Sequence, residues 1–380
     1  MTNIRWCANL VLWTFTKRLV NVKGWYSVRQ VSTAKVTLRE VAHHAQVHYA
    51  TASTVLNGAK GSTRVSDETR LRVLDAADKL GYSANRAAQQ LKTQRSHVVG
   101  LLTGGLENPF FARMVSVCSD ALAARGYDVI LASRRQDEVT DMHLLESLLS
   151  RRLAGVLLWS EAITEVRERV ERGDITNVSV MGMMIPGCDC VAGELAVGVE
   201  EALNHLRDQG YQRIGYFAPH FALGRAADPR DRLYREKMAE WGRPERIIAY
   251  EGIASDAGAA CAAAEQLADR LAKQPKPEWP DALLCFNDLH AFGTMMGLRR
   301  KGLRIPEDIA LVGCDDLPLA SQLDVPLTTI AYPLDAMCQI AVEMLLDRVA
   351  AQDNGGLLLT SPRSELLMTH LVVRSSSIRA

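Results

Sequence analysis

Residues 36 to 95 constrain this chain more than any other stretch: VTLREVAHHAQVHYATASTVLNGAKGSTRVSDETRLRVLDAADKLGYSANRAAQQLKTQR. Leu38, Val41, Ala42 and Ala45 recur at the i, i+3, i+4, i+7 spacing of an amphipathic helix from Leu38 to Ala45. After the break Gln46-Val47-His48, a second helix is expected from Tyr49 to Leu56. Ala52, Val55 and Leu56 would pack inward, while Tyr49, Ala50, Ser53, Thr54 and Asn57 would face out. Ser66 is placed to cap a third helix, Asp67 and Glu68 suit its first turn, and Gly81 ends it. Its buried stripe would be Val73, Leu74, Ala77 and Leu80.

Two short helices joined by a three-residue turn fit a helix-turn-helix, in which the second helix enters the major groove of DNA. Its outward face is polar but nearly uncharged, which suits base-edge contacts better than phosphate attraction alone. The charge distribution agrees. Over 380 residues the net charge is zero, yet residues 1–96 hold 15 Lys/Arg against 5 Asp/Glu, leaving 29 basic and 39 acidic residues for the rest. A basic N-terminal quarter on an acidic body is expected where one end meets a polyanion.

The ordered segments V-T-L-R-E-V-A, T-A-S-T-V-L-N-G, V-S-D-E-T-R and L-G-Y-S-A-N-R-A-A-Q-Q-L closely resemble the head piece of the lactose-repressor/galactose-repressor (LacI/GalR) family. The resemblance implies major-groove contacts from Tyr49, Ala50, Thr51, Ser53, Thr54 and Asn57, with Tyr49, Ala50 and Thr54 at the base-reading positions. It also implies a hinge helix over 85–92, which orders on operator DNA and enters the minor groove through Asn85, Arg86, Ala88, Gln89 and Leu91. Leu91 matches a leucine that wedges between base pairs, where unstacking costs a few kcal/mol and contacts to the bent duplex offset it. An ordinary core leucine is the alternative. The chain departs from the family pattern at Gln46 (a common turn glycine), His48 (a Ser or Thr cap), Thr54 (often Arg) and Ala84 (a Pro opening the hinge). The architecture survives these changes, but no operator sequence carries over.

From Val98 onward, apolar strand patterns alternate with helical ones: VVGLLTG, YDVILAS, AGVLLWS, RIGYFAP, ALLCFND and IALVGCDD. Such runs argue for parallel sheets covered on both faces, with ligands at the carboxyl ends of the strands. The resemblance continues through N-P-F-F, F-N-D, G-C-D-D and P-L-T-T-I. It implies a two-lobed α/β effector domain like that of periplasmic binding proteins. It places effector contacts at Phe110 and Phe111 in lobe one, and at Arg232, Asn287 and Asp315 in lobe two. Arg235 stands at the glycine of the family's R-x-x-G-[FY], and Glu194 stands where Asp is usual.

The expected organisation is a basic extension over 1–35, a three-helix head over 36–83, a hinge helix and linker over 84–96, and an effector-binding and dimerisation domain over 97–380. Lobe one would take about 97–190 and 332–353, and lobe two about 191–331 and 354–380. Residues 1–35 hold six Lys/Arg and no acid, and their apolar run NLVLWTF is too short to span a bilayer. A disordered arm or a start of translation set too early is expected there, rather than a targeting segment. The eight cysteines form no CxxC pair, and only Cys188 and Cys190 form a C-x-C. They fit a reduced cytosolic protein, without a metal site or cofactor.

No P-loop, GxGxxG or nucleophile motif supports an enzyme. The expectation is a cytoplasmic, homodimeric transcription regulator, acting as a repressor. It would bind double-stranded, pseudo-palindromic operator DNA under control of a small molecule, by default a sugar or sugar derivative. A purine or sugar phosphate would suit the same residue types. The rival reading, a solute-binding protein of the same two-lobed fold, would need an export signal and no DNA-binding head. No membrane span is expected.

Overall fold

The computed structural model describes residues 36–57, 65–82, 96–133, 139–159, 168–169, 172–173, 175, 177–224, 228–353 and 361–379. The chain divides into two compact units, 1–88 and 89–380.

In the smaller unit, α1 spans Leu38–His44, α2 Tyr49–Asn57 and α3 Asp67–Leu80. Thr37 and Glu40 cap α1 reciprocally: the Thr37 N–H donates to Glu40 Oε2 at 2.6 Å, and the Glu40 N–H donates to Thr37 Oγ1 at 3.3 Å. Those bonds to Thr37 hold the exposed Glu40 carboxyl below its usual range. Gln46 turns the chain with φ 54°, the left-handed conformation that explains why glycine is common at such a place. Gly81 closes α3 at φ 65°.

The core of this unit is Val41, Ala42, Ala45, Ala52, Val55, Val73, Ala76 and Ala77. Leu74, expected inside, is instead 46% exposed, and Ala76 takes its place. Small side chains on all three helices let the axes approach, and a leucine at position 76 would hold them apart.

The larger unit contains two six-stranded sheets. The first uses β1 (Val98–Thr103), β2 (Asp128–Ser133), β3 (Gly155–Trp159), β4 (Val178–Met181), β5 (Asp189–Glu194) and β11 (Ser364–Met368) in the order β11-β5-β4-β3-β1-β2. The second uses β6 (Ile214–Pro219), β7 (Ile247–Tyr250), β8 (Ala282–Cys285), β9 (Ala310–Asp315), β10 (Thr328–Ala331) and β12 (His370–Val372) in the order β12-β10-β9-β8-β6-β7. Every pairing is parallel except β10 with β12. Buried strands of this kind need helices on both faces. These are α4 (Pro109–Ala123), α5 (Val139–Leu149), α6 (Leu195–Asp208), α7 (Pro229–Glu240), α8 (Ala257–Leu271), α9 (Asp288–Arg300) and α10 (Leu334–Asp353).

The chain passes between the lobes after β5, after β10 and between β11 and β12. This corrects the expected boundaries. Residues 364–368 belong to the first sheet, parallel to β5, and the first lobe runs to Glu194 before the first crossing. The apolar run of β11 is only Leu366-Leu367-Met368, and its side chains are mostly exposed, so the pattern lacks the long buried run of the other strands.

Buried charge fastens this edge: Arg348 of α10 donates to both Asp189 oxygens at 2.6 and 2.7 Å, and the Arg363 N–H adds a bond at 2.7 Å. Burial works against the Asp189 charge, but these bonds win and hold its carboxyl below the usual range. In the second lobe, Gly293 and Gly297 of α9 meet the Ala257 and Cys261 carbonyls of α8 so closely that no Cβ would fit.

Candidate DNA-reading face and effector cleft

The recognition face of α2 is built from its start. The sequence places His48 where a hydroxyl cap is usual, and its imidazole does the same work: the Ala50 N–H donates to His48 Nδ1 at 3.3 Å. Tyr49 is 48% exposed and Ala50 is exposed, while Thr51, Ser53 and Thr54 are half-buried. Thr54 Oγ1 donates back to the Ala50 carbonyl at 2.9 Å. Ala52 and Val55 fill the core on the opposite face. The Asn57 side chain, and the hinge residues Asn85, Arg86, Ala88, Gln89 and Leu91, lie outside the described residues.

In the larger unit, the carboxyl ends of both sheets converge on one cleft, which includes a cavity of about 480 Å³ lined by Phe110, Tyr332, Asp315, Asp316, Arg113 and Arg374 among others. Its first-lobe wall is aromatic. Asn108 caps α4 by accepting the Phe110 N–H at 3.0 Å, which sets Phe110 and Phe111 in the first turn. Phe110 lies edge-on to Phe111 at 5.4 Å, to Trp159 at 5.2 Å and to Tyr332 at 5.7 Å. Phe110 and Tyr332 line the cavity, and the half-buried Phe111 and Trp159 pack edge-on against Phe110 beside it. Trp159 and Tyr332 were absent from the expected site, although each sits at or just past the carboxyl end of a strand, which is the signal that marks them.

The second-lobe wall is polar. Arg232 is not part of it: its side chain is 57% exposed and pairs with Glu236 one turn on, at 3.0 Å. Arg230 takes the place. It is 12% exposed, forks onto Asp228 with its closest contact at 2.6 Å, and donates to the Phe286 carbonyl. Its guanidinium lies 3.8 Å from the Phe286 ring centroid. Burial opposes its charge, but Asp228 holds its pKa above the ordinary arginine value. Asp231, Tyr234 and Met238 are the buried positions of α7, and Arg232 points the other way.

Asn287 is buried here, with its amide engaged: it donates to the Ala254 carbonyl and accepts the His290 N–H, both at 2.9 Å. It therefore shapes the 253–256 loop as well as bordering the cleft. His290 continues that support, with Nε2 2.9 Å from the Ile253 carbonyl and Nδ1 2.6 Å from the Tyr250 hydroxyl. Burial lowers its pKa to about 4 and keeps it neutral.

Asp315 ends β9 with φ 122°, a strained conformation for a residue with a side chain. Burial first, and then the neighbouring Asp288, push its carboxyl well above the usual range, with Arg230 opposing. Asp288 is held by Thr329 Oγ1 at 2.5 Å and the Leu317 N–H at 2.7 Å, and burial still raises it to about 7. Three ion pairs flank the cleft, Arg113 with Asp335, Arg374 with Asp316 and Arg230 with Asp228, while Asp288 is fully buried behind it and held by neutral donors. Asp315 has no such mate among the described residues.

Residues 37–85 match the family of bacterial regulatory proteins described as lacI, and residues 203–377 match a periplasmic binding protein-like domain. The HTH-type transcriptional regulator GalS of Salmonella typhimurium is 30% identical over 322 residues, covering 83% of this chain and 90% of that protein. A lac repressor dimer bound to operator and the anti-inducer ONPF superimposes with a TM-score of 0.71 at 24% identity, covering 91% of this chain and all of that one. The regulator CelR in complex with cellobiose superimposes with a TM-score of 0.61 at 27% identity, covering 90% of this chain and all of that one. With its helix-turn-helix head and two-lobed sensor, the chain belongs to the LacI/GalR family of DNA-binding transcriptional regulators.

Proposed function

We propose that this protein is a cytoplasmic repressor that binds a pseudo-palindromic operator as a homodimer and is controlled by a saccharide in the cleft. The observation carrying the saccharide is Asp315. Three arginine–aspartate pairs cancel one another at the cleft, leaving one carboxylate opposite an aromatic wall. A carboxylate accepts two hydroxyl hydrogen bonds while aromatic rings cover the apolar face of a sugar ring. Burial favours the uncharged form of Asp315, and a neutral polyol suits it in either form, whereas a phosphorylated effector would meet only arginines already paired with Asp335, Asp228 and Asp316. CelR, a relative in fold, is found in complex with cellobiose.

The dimer is supported by an apolar hollow of about 560 Å³ on α9, where Phe292, Met295, Met296 and Leu323 meet and Met296 is 43% exposed. The lac repressor neighbour is a dimer on its operator. No motif for turnover accompanies the cleft, so binding itself is the signal. Among the described residues no helix is long and apolar enough to cross a membrane. A saccharide would favour one arrangement of the lobes, and with it one state of the segment 85–92 leading to the head. Such coupling is worth about 1–3 kcal/mol, or roughly 5- to 150-fold in DNA affinity.

The test pairs two titrations on the full chain. Neutral saccharides, sugar phosphates and nucleobases are screened by thermal shift. Compounds that raise Tm are then added to a binding assay with DNA selected from a random library. A neutral saccharide should stabilise the protein and change its DNA affinity at least fivefold. Stabilisation by a sugar phosphate alone, or binding without any change in DNA affinity, would overturn the reading.

A further inference from the structure

We infer that α2 reads A·T pairs through the thymine 5-methyl group, with Ala50 and Thr54 supplying the complementary methyl surface. The inference rests on the head being a DNA reader and specifies what it reads.

Before its last residue, Asn57, whose side chain lies outside the described residues, the helix contains no Arg, Lys, Asn, Gln, Asp or Glu. Those residues make the hydrogen bonds that identify guanine, adenine and cytosine in the major groove. Serine and threonine hydroxyls bond to several bases and discriminate little. Thr54 has lost even that donor, because its single hydroxyl proton goes to the Ala50 carbonyl at 2.9 Å. Its γ-methyl is the part of the side chain left uncommitted.

Ala50 is exposed and has both backbone groups engaged, the N–H by His48 and the carbonyl by Thr54. It offers a base only its β-carbon. Ser53 also has an interaction within the protein. At the two base-reading positions after Tyr49, what remains is the methyl groups of Ala50 and Thr54. In the major groove, the partner for an aliphatic methyl is the methyl of thymine, and its position distinguishes T·A from A·T and both from G·C.

The test uses the full chain and sites selected from a random double-stranded library. Each thymine of an enriched site is replaced in turn by deoxyuridine, which removes only the 5-methyl group. At two positions in each half-site, affinity should fall about fourfold, the worth of burying one methyl group. Thr54→Val keeps the methyl and loses the hydroxyl, and it should keep the sensitivity at both positions. Thr54→Ser does the reverse, and it should bind thymine and deoxyuridine alike at one position while the Ala50 position still discriminates. Enriched sites indifferent to every deoxyuridine replacement would overturn the inference and leave the DNA-reading function standing. So would a Thr54→Ser protein with unaltered discrimination. Failure to enrich any sequence would overturn both.

Discussion

The recognition helix and the effector cleft solve the same problem in opposite ways. Each engages most of its polar groups internally and leaves a small remainder for a ligand. On α2, His48 and Thr54 close the hydrogen bonds of Ala50, and the remainder is aliphatic. In the cleft, three ion pairs and the Asn287 amide are closed, and the remainder is a carboxylate on a strained backbone beside aromatic rings. The first surface suits a partner whose affinity comes largely from phosphates elsewhere and whose identity is read by apolar contact at the base edges. The second suits a small neutral molecule that must supply directional bonds of its own.

The largest break in this comparison should come at Asp315. Replacing Asp315 with Gly relieves a positive-φ strain of about 1–3 kcal/mol, so thermal unfolding of the ligand-free protein should shift upward. Loss of two hydrogen bonds to the Asp315 carboxyl should weaken effector binding about a hundredfold by calorimetry. An unchanged effector affinity would remove Asp315 from the site.

The next effect is a pH dependence. His290 is neutral when folded, with its pKa lowered from the ordinary 6.5 to about 4. Its unfolded form therefore takes up a proton first, and stability is lost as pH falls from about 6.5 towards 4, by at most about 1.4 kcal/mol per pH unit. Asp288, raised to about 7, acts with the opposite sign over the same range. Comparing wild type with His290→Gln in urea melts at several pH values isolates the histidine: the acid-side loss should be smaller in the variant. Parallel curves would show that His290 does not titrate as described.

On the DNA side the effects are smaller. His48→Ala removes the α2 cap and should cost the head about 1 kcal/mol, whereas His48→Ser should restore it. Fluorescence anisotropy with selected DNA would show about a fivefold loss in the first variant and near wild-type affinity in the second. The smallest effect should come from beginning the chain at Val36, which should leave DNA affinity within about twofold. A large loss would show that the six basic residues of the extension act as phosphate contacts.

The head was legible because its information is local. A period of 3.6, a serine cap and a terminal glycine place α1, α2 and α3 almost residue by residue. Leu74 failed because the stripe was judged by hydrophobicity alone, whereas close helix packing favoured Ala76. The cleft was legible only in part. The short motifs at strand ends lead to Phe111 and Asp315, which the structure places at the cleft. Which arginine of PRDRLYREKMAE is buried was not legible, because the segment has almost no amphipathic pattern, and it is Arg230 rather than Arg232. Trp159 and Tyr332 come from strands more than 160 residues apart and meet only when the first sheet and the interlobe crossing form.

By itself, the sequence determined the class of molecule: a three-helix reader with an uncharged recognition face, followed by two parallel α/β lobes. These follow from periodicity, caps and continuous apolar strands, each a short-range consequence of backbone geometry. Tertiary structure decided which polar groups remain available, because that depends on pairings between distant segments. Arg230 meets the Phe286 carbonyl and ring, Arg113 meets Asp335, and Arg374 meets Asp316, so Asp315 is left as the carboxylate without a mate among the described residues.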